Sequence, residues 1–166
     1  MSKKDRSGFT LLEILIVIAI IAIVLALVYA TVDPFARFKA ARDARRWSDA
    51  ENLLNAIKVN QVDNSGHYIS AIESLPAATV FMIGTSTSAC DSQNANCLID
   101  PASSTACVDL SQLISSGYIG ALPVSPRGNG TWNASLSGYT LQKNANGSMI
   151  VRACENEGAQ PVSLTR

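Results

Sequence analysis

Ser7-Gly8-Phe9-Thr10-Leu11-Leu12-Glu13 opens an apolar run, residues 14–30, built from Ile, Val, Leu, Ala and Tyr29 and free of charge. A short basic leader, residues 1–8 with Lys3, Lys4 and Arg6, precedes it. About 20 consecutive apolar residues cross a hydrocarbon core of roughly 30 Å. A secretory signal carries an apolar core of only about 7–15 residues before a small-residue cleavage site. The longer run here is therefore expected to remain on the protein as a membrane-spanning helix. Its one carboxylate, Glu13, stands just inside the start. At mid-bilayer such a group costs on the order of 2.5–3.5 kcal/mol, less near an interface, so Glu13 needs a partner or a role.

Gly8-Phe9-Thr10-Leu11-Leu12-Glu13 with the Ile/Val/Leu/Ala helix behind it resembles the class III signal of type IV pilins and of the related pseudopilins of secretion systems. Three features coincide: glycine before phenylalanine, glutamate one helical turn later, and a long apolar helix. The resemblance implies a prepilin peptidase/N-methyltransferase that cuts between Gly8 and Phe9 on the cytoplasmic side and methylates the new Phe9 amine. It also implies that Glu13 meets the Phe9 amine of an adjacent subunit during filament assembly. The chemistry agrees on its own terms. Residues four apart are helix neighbours, an acid is favoured in the first turn by the helix dipole, and a methylated amine keeps its charge.

The 166 residues leave room for one modest domain after the helix is set aside. Formal charge is zero, with 13 basic and 13 acidic residues; without residues 1–8 the balance is 10 to 12. A mildly acidic chain has little general attraction for nucleic acid, whose binding is dominated by phosphate neutralisation. Cys90, Cys97, Cys107 and Cys154 in a loop-rich region point to an oxidising compartment and up to two disulfides. Of three possible full pairings, the reading favours Cys90–Cys97, closing a small loop, and Cys107–Cys154, tying the helix side to the last strand. Positive-inside counting alone favours a cytoplasmic carboxy terminus, because Arg37, Lys39, Arg42, Arg45 and Arg46 follow the span. The cytoplasmic-side processing signal and the cysteines reverse that assignment.

Four segments are expected: a leader at 1–8, a transmembrane and filament-core helix at 9–32, an amphipathic helix at 33–62, and a carboxy-terminal globular domain at 63–166. Asp33-Pro34 predicts a kink or brief interruption, since proline lacks the N–H and disfavours helix in the preceding residue. Ala40, Ala44, Trp47, Ala50, Leu54 and Ile57, with Leu53 beside them, form the apolar stripe of the second helix. Arg42, Asp43, Arg45, Arg46, Asp49, Glu51 and Lys58 lie mostly off it, and the basic cluster reads as a solvated or subunit-facing surface. Arg45 and Asp49 are spaced to pair. Asp63-Asn64-Ser65-Gly66 ends the helix. Residues 70–109 read as a disulfide-held loop with one strand at 79–83, residues 108–117 as a short helix, and 122–126 as an extended linker. Residues 137–143 and 148–154 alternate as strands around the hairpin turn Asn144-Ala145-Asn146-Gly147.

Ala41-Arg42-Asp43-Ala44-Arg45-Arg46, then Asn64-Ser65-Gly66-His67-Tyr68, and the tail from Ser111 onward are similar to pilins and G-type pseudopilins. Two departures limit the likeness. The family's Asp-Pro is Ser125-Pro126 here, so calcium binding is not carried over, and the apolar helix has no glycine or proline before Pro34.

No phosphate loop, HExxH or nucleophile elbow occurs. His67 is the only histidine and sits at a turn, Cys90 and Cys97 lack chelating spacing, and no metal, cofactor or catalytic residue is expected. The reading is α+β and pilin-like: a long amino-terminal helix on a small antiparallel sheet. In function, the chain is expected to be a structural subunit, single-pass in the cytoplasmic membrane before assembly and part of an extracellular filament after it. Its partners are the processing enzyme, further copies in a homopolymer, and a membrane assembly platform. The alternatives are a pseudopilin of a type II secretion system and a secreted binding module cleaved after Val28-Tyr29-Ala30.

Overall fold

The computed structural model describes residues 8–166, without the Val32 side chain. The expected leader, apart from Gly8, lies outside the described residues. The chain divides into two compact units between Phe38 and Lys39.

In the first unit, helix α1 runs unbroken over Leu11–Val32. Its membrane-length part, Leu11–Thr31, has a mean hydropathy of 3.4 and none of it is buried. With no glycine or proline inside, nothing strands a backbone donor or acceptor, which would cost several kcal/mol in an apolar setting. The interruption falls where proline dictates. Asp33 adopts a left-handed conformation (φ 35°, ψ 78°). Helix α2, Pro34–Asp63, starts at the next residue. The Asp33 side chain caps that new start, Oδ1 accepting from the Ala36 N–H at 3.2 Å.

In the second unit, α2 from Lys39 onward packs on a four-stranded antiparallel sheet of order β1-β2-β3-β4. The strands are β1 (Val80–Met82), β2 (Tyr139–Lys143), β3 (Met149–Ala153) and β4 (Ser163–Thr165). Phe81, Leu141, Val151 and Leu164 stand opposite one another across all four. Alternation along β3 puts Met149, Val151 and Ala153 in the core, where they meet Ala50, Leu53, Leu54 and Ile57 of α2. The Leu, Ile, Val and Met side chains among them each contribute roughly 1.5–3 kcal/mol on full burial. Short helices α3 (Ser70–Glu73) and α4 (Ser111–Ser115) supply Ile72 and Leu113 to the same core.

The hairpin forms at the expected turn, with Gly147 at φ 81° and the Asn144 N–H bonded to the Ser148 carbonyl at 2.8 Å. The strand expected at 79–83 is Val80–Met82. The helix expected at 108–117 is trimmed to α4, because the Asp109 carboxylate takes the Ser111 N–H at 2.8 Å and opens it there. Helix α3 and strand β4 have no counterpart among the expected elements: four residues and three residues carry too little periodicity to read.

The α2 stripe needs correction at its amino-terminal half. Ala40, Ala44 and Trp47 are exposed, whereas Arg46 is fully buried. Counting hydrophobic residues cannot show an arginine turned inward to meet carboxylates from distant loops. The disulfide pairing is also corrected. Cys90 is bonded to Cys107 and Cys97 to Cys154, with Cα atoms 5.4 and 4.0 Å apart. Backbone bonds set both pairs. The Cys90 N–H reaches the Thr105 carbonyl at 2.9 Å, and the Leu98 N–H reaches the Cys154 carbonyl at 2.9 Å. A single 3₁₀ turn, Asn94–Asn96, swings Cys97 to the end of β3 and away from Cys90.

Candidate functional site

The candidate site is the start of α1. Thr10 is its N-cap, extended at φ −80° and ψ 151°, and its hydroxyl accepts the Glu13 N–H at 3.2 Å. The Thr10 carbonyl also takes the Ile14 N–H at 3.3 Å. Thr10-Leu11-Leu12-Glu13 thus has the S/T-x-x-E spacing of a helix start, with the acid in the turn where the free N–H groups and the dipole favour it. Gly8 and Phe9 lie before the cap in non-helical backbone, and Phe9 is 78 % exposed. Glu13 is exposed as well, on a helix whose remaining membrane-length side chains are uncharged. Hydropathy does not single out Thr10; the T-x-x-E spacing is the sequence signal that marks it.

Residues 3–29 match the model of the prokaryotic N-terminal methylation motif. The chain carries the class III signal of type IV pilins and pseudopilins. No curated protein and no solved structure matches it. The methylation motif covers the leader and most of α1, and the chain beyond it is an α+β, pilin-like arrangement of helix and small antiparallel sheet.

Beyond the methylation motif, the second unit holds an ionic cluster around the buried Arg46, which the sequence reading placed on a solvated or subunit-facing surface. All five N–H groups of the Arg46 guanidinium are matched. Nε reaches Ser125 Oγ at 3.2 Å. Nη1 meets Asp43 Oδ1 at 2.7 Å and Glu157 Oε1 at 3.2 Å. Nη2 meets the Pro126 carbonyl at 3.2 Å and Glu155 Oε2 at 3.4 Å. Arg42 grips Glu157 bidentately, with Nε to Oε1 at 2.6 Å. Asp43 turns its carboxylate to the Glu157 and Gly158 N–H groups, at 2.9 and 2.6 Å. Fork geometry suits arginine to this task, since its planar donors are fixed in place. The Arg42 hydrogen bond, aided by Arg46, holds the Glu157 carboxyl down at about 2.

Asp49 acts in two directions. It lies 3.8 Å from Arg45, the pair that the spacing predicts, and accepts the Tyr139 hydroxyl at 2.7 Å. Burial and that bond push the Tyr139 phenol well above its ordinary range. All four cysteines are spent in disulfides, and among the described residues no His, Cys, Asp and Glu cluster is placed to hold a metal. The cluster and the disulfides arrange the second unit; the motif-bearing turn is the part with exposed chemistry.

Proposed function

We propose that the protein is a structural subunit of a type IV pilus-like filament, stored in the cytoplasmic membrane and polymerised through α1. The observation that carries this reading is α1 itself. Leu11–Thr31 is wholly uncovered, at a mean hydropathy of 3.4, and begins at the methylation motif. Exposed apolar surface on that scale needs either lipid or other copies of the same helix, since burial yields roughly 25 cal/mol per Å². One segment therefore serves as membrane anchor first and filament core later. Cleavage after Gly8 leaves a cationic Phe9 amine, and Glu13 is the counter-charge it meets on a neighbouring subunit. Prepilin peptidase, further copies of the chain and a membrane assembly platform are the partners. Intact mass and amino-terminal sequencing of native protein test the reading. The expected first residue is N-methyl-Phe9. A chain beginning at Thr31 would overturn it in favour of a conventionally secreted module.

A further inference from the structure

Of the cations that follow the span, Arg42, Arg45 and Arg46 have carboxylate partners, whereas Arg37 and Lys39 have no role in the packing described above. Leu11–Thr31 covers about 30 Å at 1.5 Å per residue, the thickness of a hydrocarbon core. Residues just after it fall in the headgroup layer whenever α1 is in a bilayer, so the inference rests on the membrane-stored state proposed above. Here Asp33 ends α1 and restarts the chain as α2, with the Arg37 N–H bonded to the Asp33 carbonyl at 3.4 Å. The new turn carries Phe35 and Phe38, 72 % and 64 % exposed. Three residues apart on a helix, they share a side. Tyr29, near the end of α1, is 68 % exposed. Arg37 and Lys39 are exposed too, and neither has an ion-pair partner among the described residues.

We propose that residues 34–39 form an interfacial anchor for a bilayer containing anionic phospholipid, with Phe35 and Phe38 sunk among the upper acyl chains and Arg37 and Lys39 on lipid phosphates. Aromatic bodies beside long basic side chains suit the boundary where one end of a residue is dry and the other wet. Each basic residue at an anionic surface favours the bound state roughly fivefold. The chemistry selects lipid over a second copy of the chain. Continuity with the span puts this turn at headgroup depth, where lipid surrounds it whenever the chain is stored in the membrane.

The test uses the full mature chain in vesicles of phosphatidylcholine, alone or mixed with phosphatidylglycerol, carrying lipids brominated near the glycerol or near the chain end. Phe38→Trp reports the anchor, Ile21→Trp reports the middle of α1, and the parent chain supplies the background of Trp47 and Trp132. Added Phe38→Trp emission is expected to be blue-shifted and quenched mainly by bromine near the glycerol. It should be quenched more strongly with phosphatidylglycerol present, and that excess should disappear when Arg37→Gln and Lys39→Gln are combined with it. If Ile21→Trp is quenched by deep bromine and Phe38→Trp by neither lipid, the anchor is wrong and the membrane-stored state stands. If Ile21→Trp is also unquenched, the spanning helix fails and the anchor fails with it. Phe38→Trp emission that tracks the protein-to-lipid ratio and ignores bromine would place a second copy there and overturn the proposal.

Discussion

Cys97 is bonded to Cys154 at the end of β3, and the next residue, Glu155, receives the buried Arg46 guanidinium at 3.4 Å. A covalent tie from the 3₁₀ turn and an ionic tie from α2 thus converge on two consecutive residues. Glu155 also accepts the Gly130 N–H, so a third segment is fastened to the same spot. Helix, loop and sheet are thus fastened at one corner by a disulfide and by polar bonds, beside the apolar core.

Disulfide removal should separate the two bridges. The Cys97–Cys154 link closes a loop of separation 57, against 17 for Cys90–Cys107. The chain-entropy relation gives about 4 kcal/mol for the longer and about 3 kcal/mol for the shorter. Paired serine variants, compared by denaturant unfolding of the detergent-solubilised chain, are expected to lose more for Cys97 and Cys154. Peptide mapping without reductant should recover 90 with 107 and 97 with 154; any other partition contradicts the arrangement.

Arg46→Met should cost about 3–5 kcal/mol, because it leaves Asp43 and Glu155 as uncompensated acids in a buried setting. Arg46→Lys should recover only part of that loss, since one ammonium cannot match five acceptors on different elements. Equilibrium unfolding measures both. A change below about 1 kcal/mol for the methionine variant would show the cluster to be dispensable.

Glu157 makes the second unit acid-sensitive in a defined window. Its folded carboxyl is lowered from 4.5 to about 2 by Arg42 and Arg46. A depressed acid contributes stability that is fully present above the unfolded value and lost as pH falls through the folded one. Stability should therefore decline between about pH 4.5 and pH 2. Glu157→Gln should start less stable at neutral pH and show a shallower decline across that interval in pH-jump unfolding curves.

Glu13→Ala is expected to leave membrane insertion and cleavage largely intact while reducing the sheared-filament fraction, because the Phe9 amine loses its counter-charge. Glu13→Gln should behave like the alanine variant, since charge rather than size is required. Normal filament yield from either variant would remove the proposed contact.

The residues around Gly8 and Glu13 and the run behind them are legible in the sequence because their structure needs no distant partner. A membrane-length helix is set by composition and by backbone bonds four residues apart, and Pro34 alone dictates the break at Asp33. The hairpin is equally local, its strands and turn contiguous in the chain. Tertiary structure decided everything that depends on which distant groups meet. Spacing could not choose among cysteine pairings, because the chain after the 3₁₀ turn at 94–96 is held beside Cys154 by a backbone bond from the Leu98 N–H. Nor could periodicity show Arg46 buried, since an inward arginine is tolerable only once Asp43 of the same helix is joined by Ser125, Pro126, Glu155 and Glu157 from segments up to 111 residues away. Strand β4 exists only because β3 offers it a free edge.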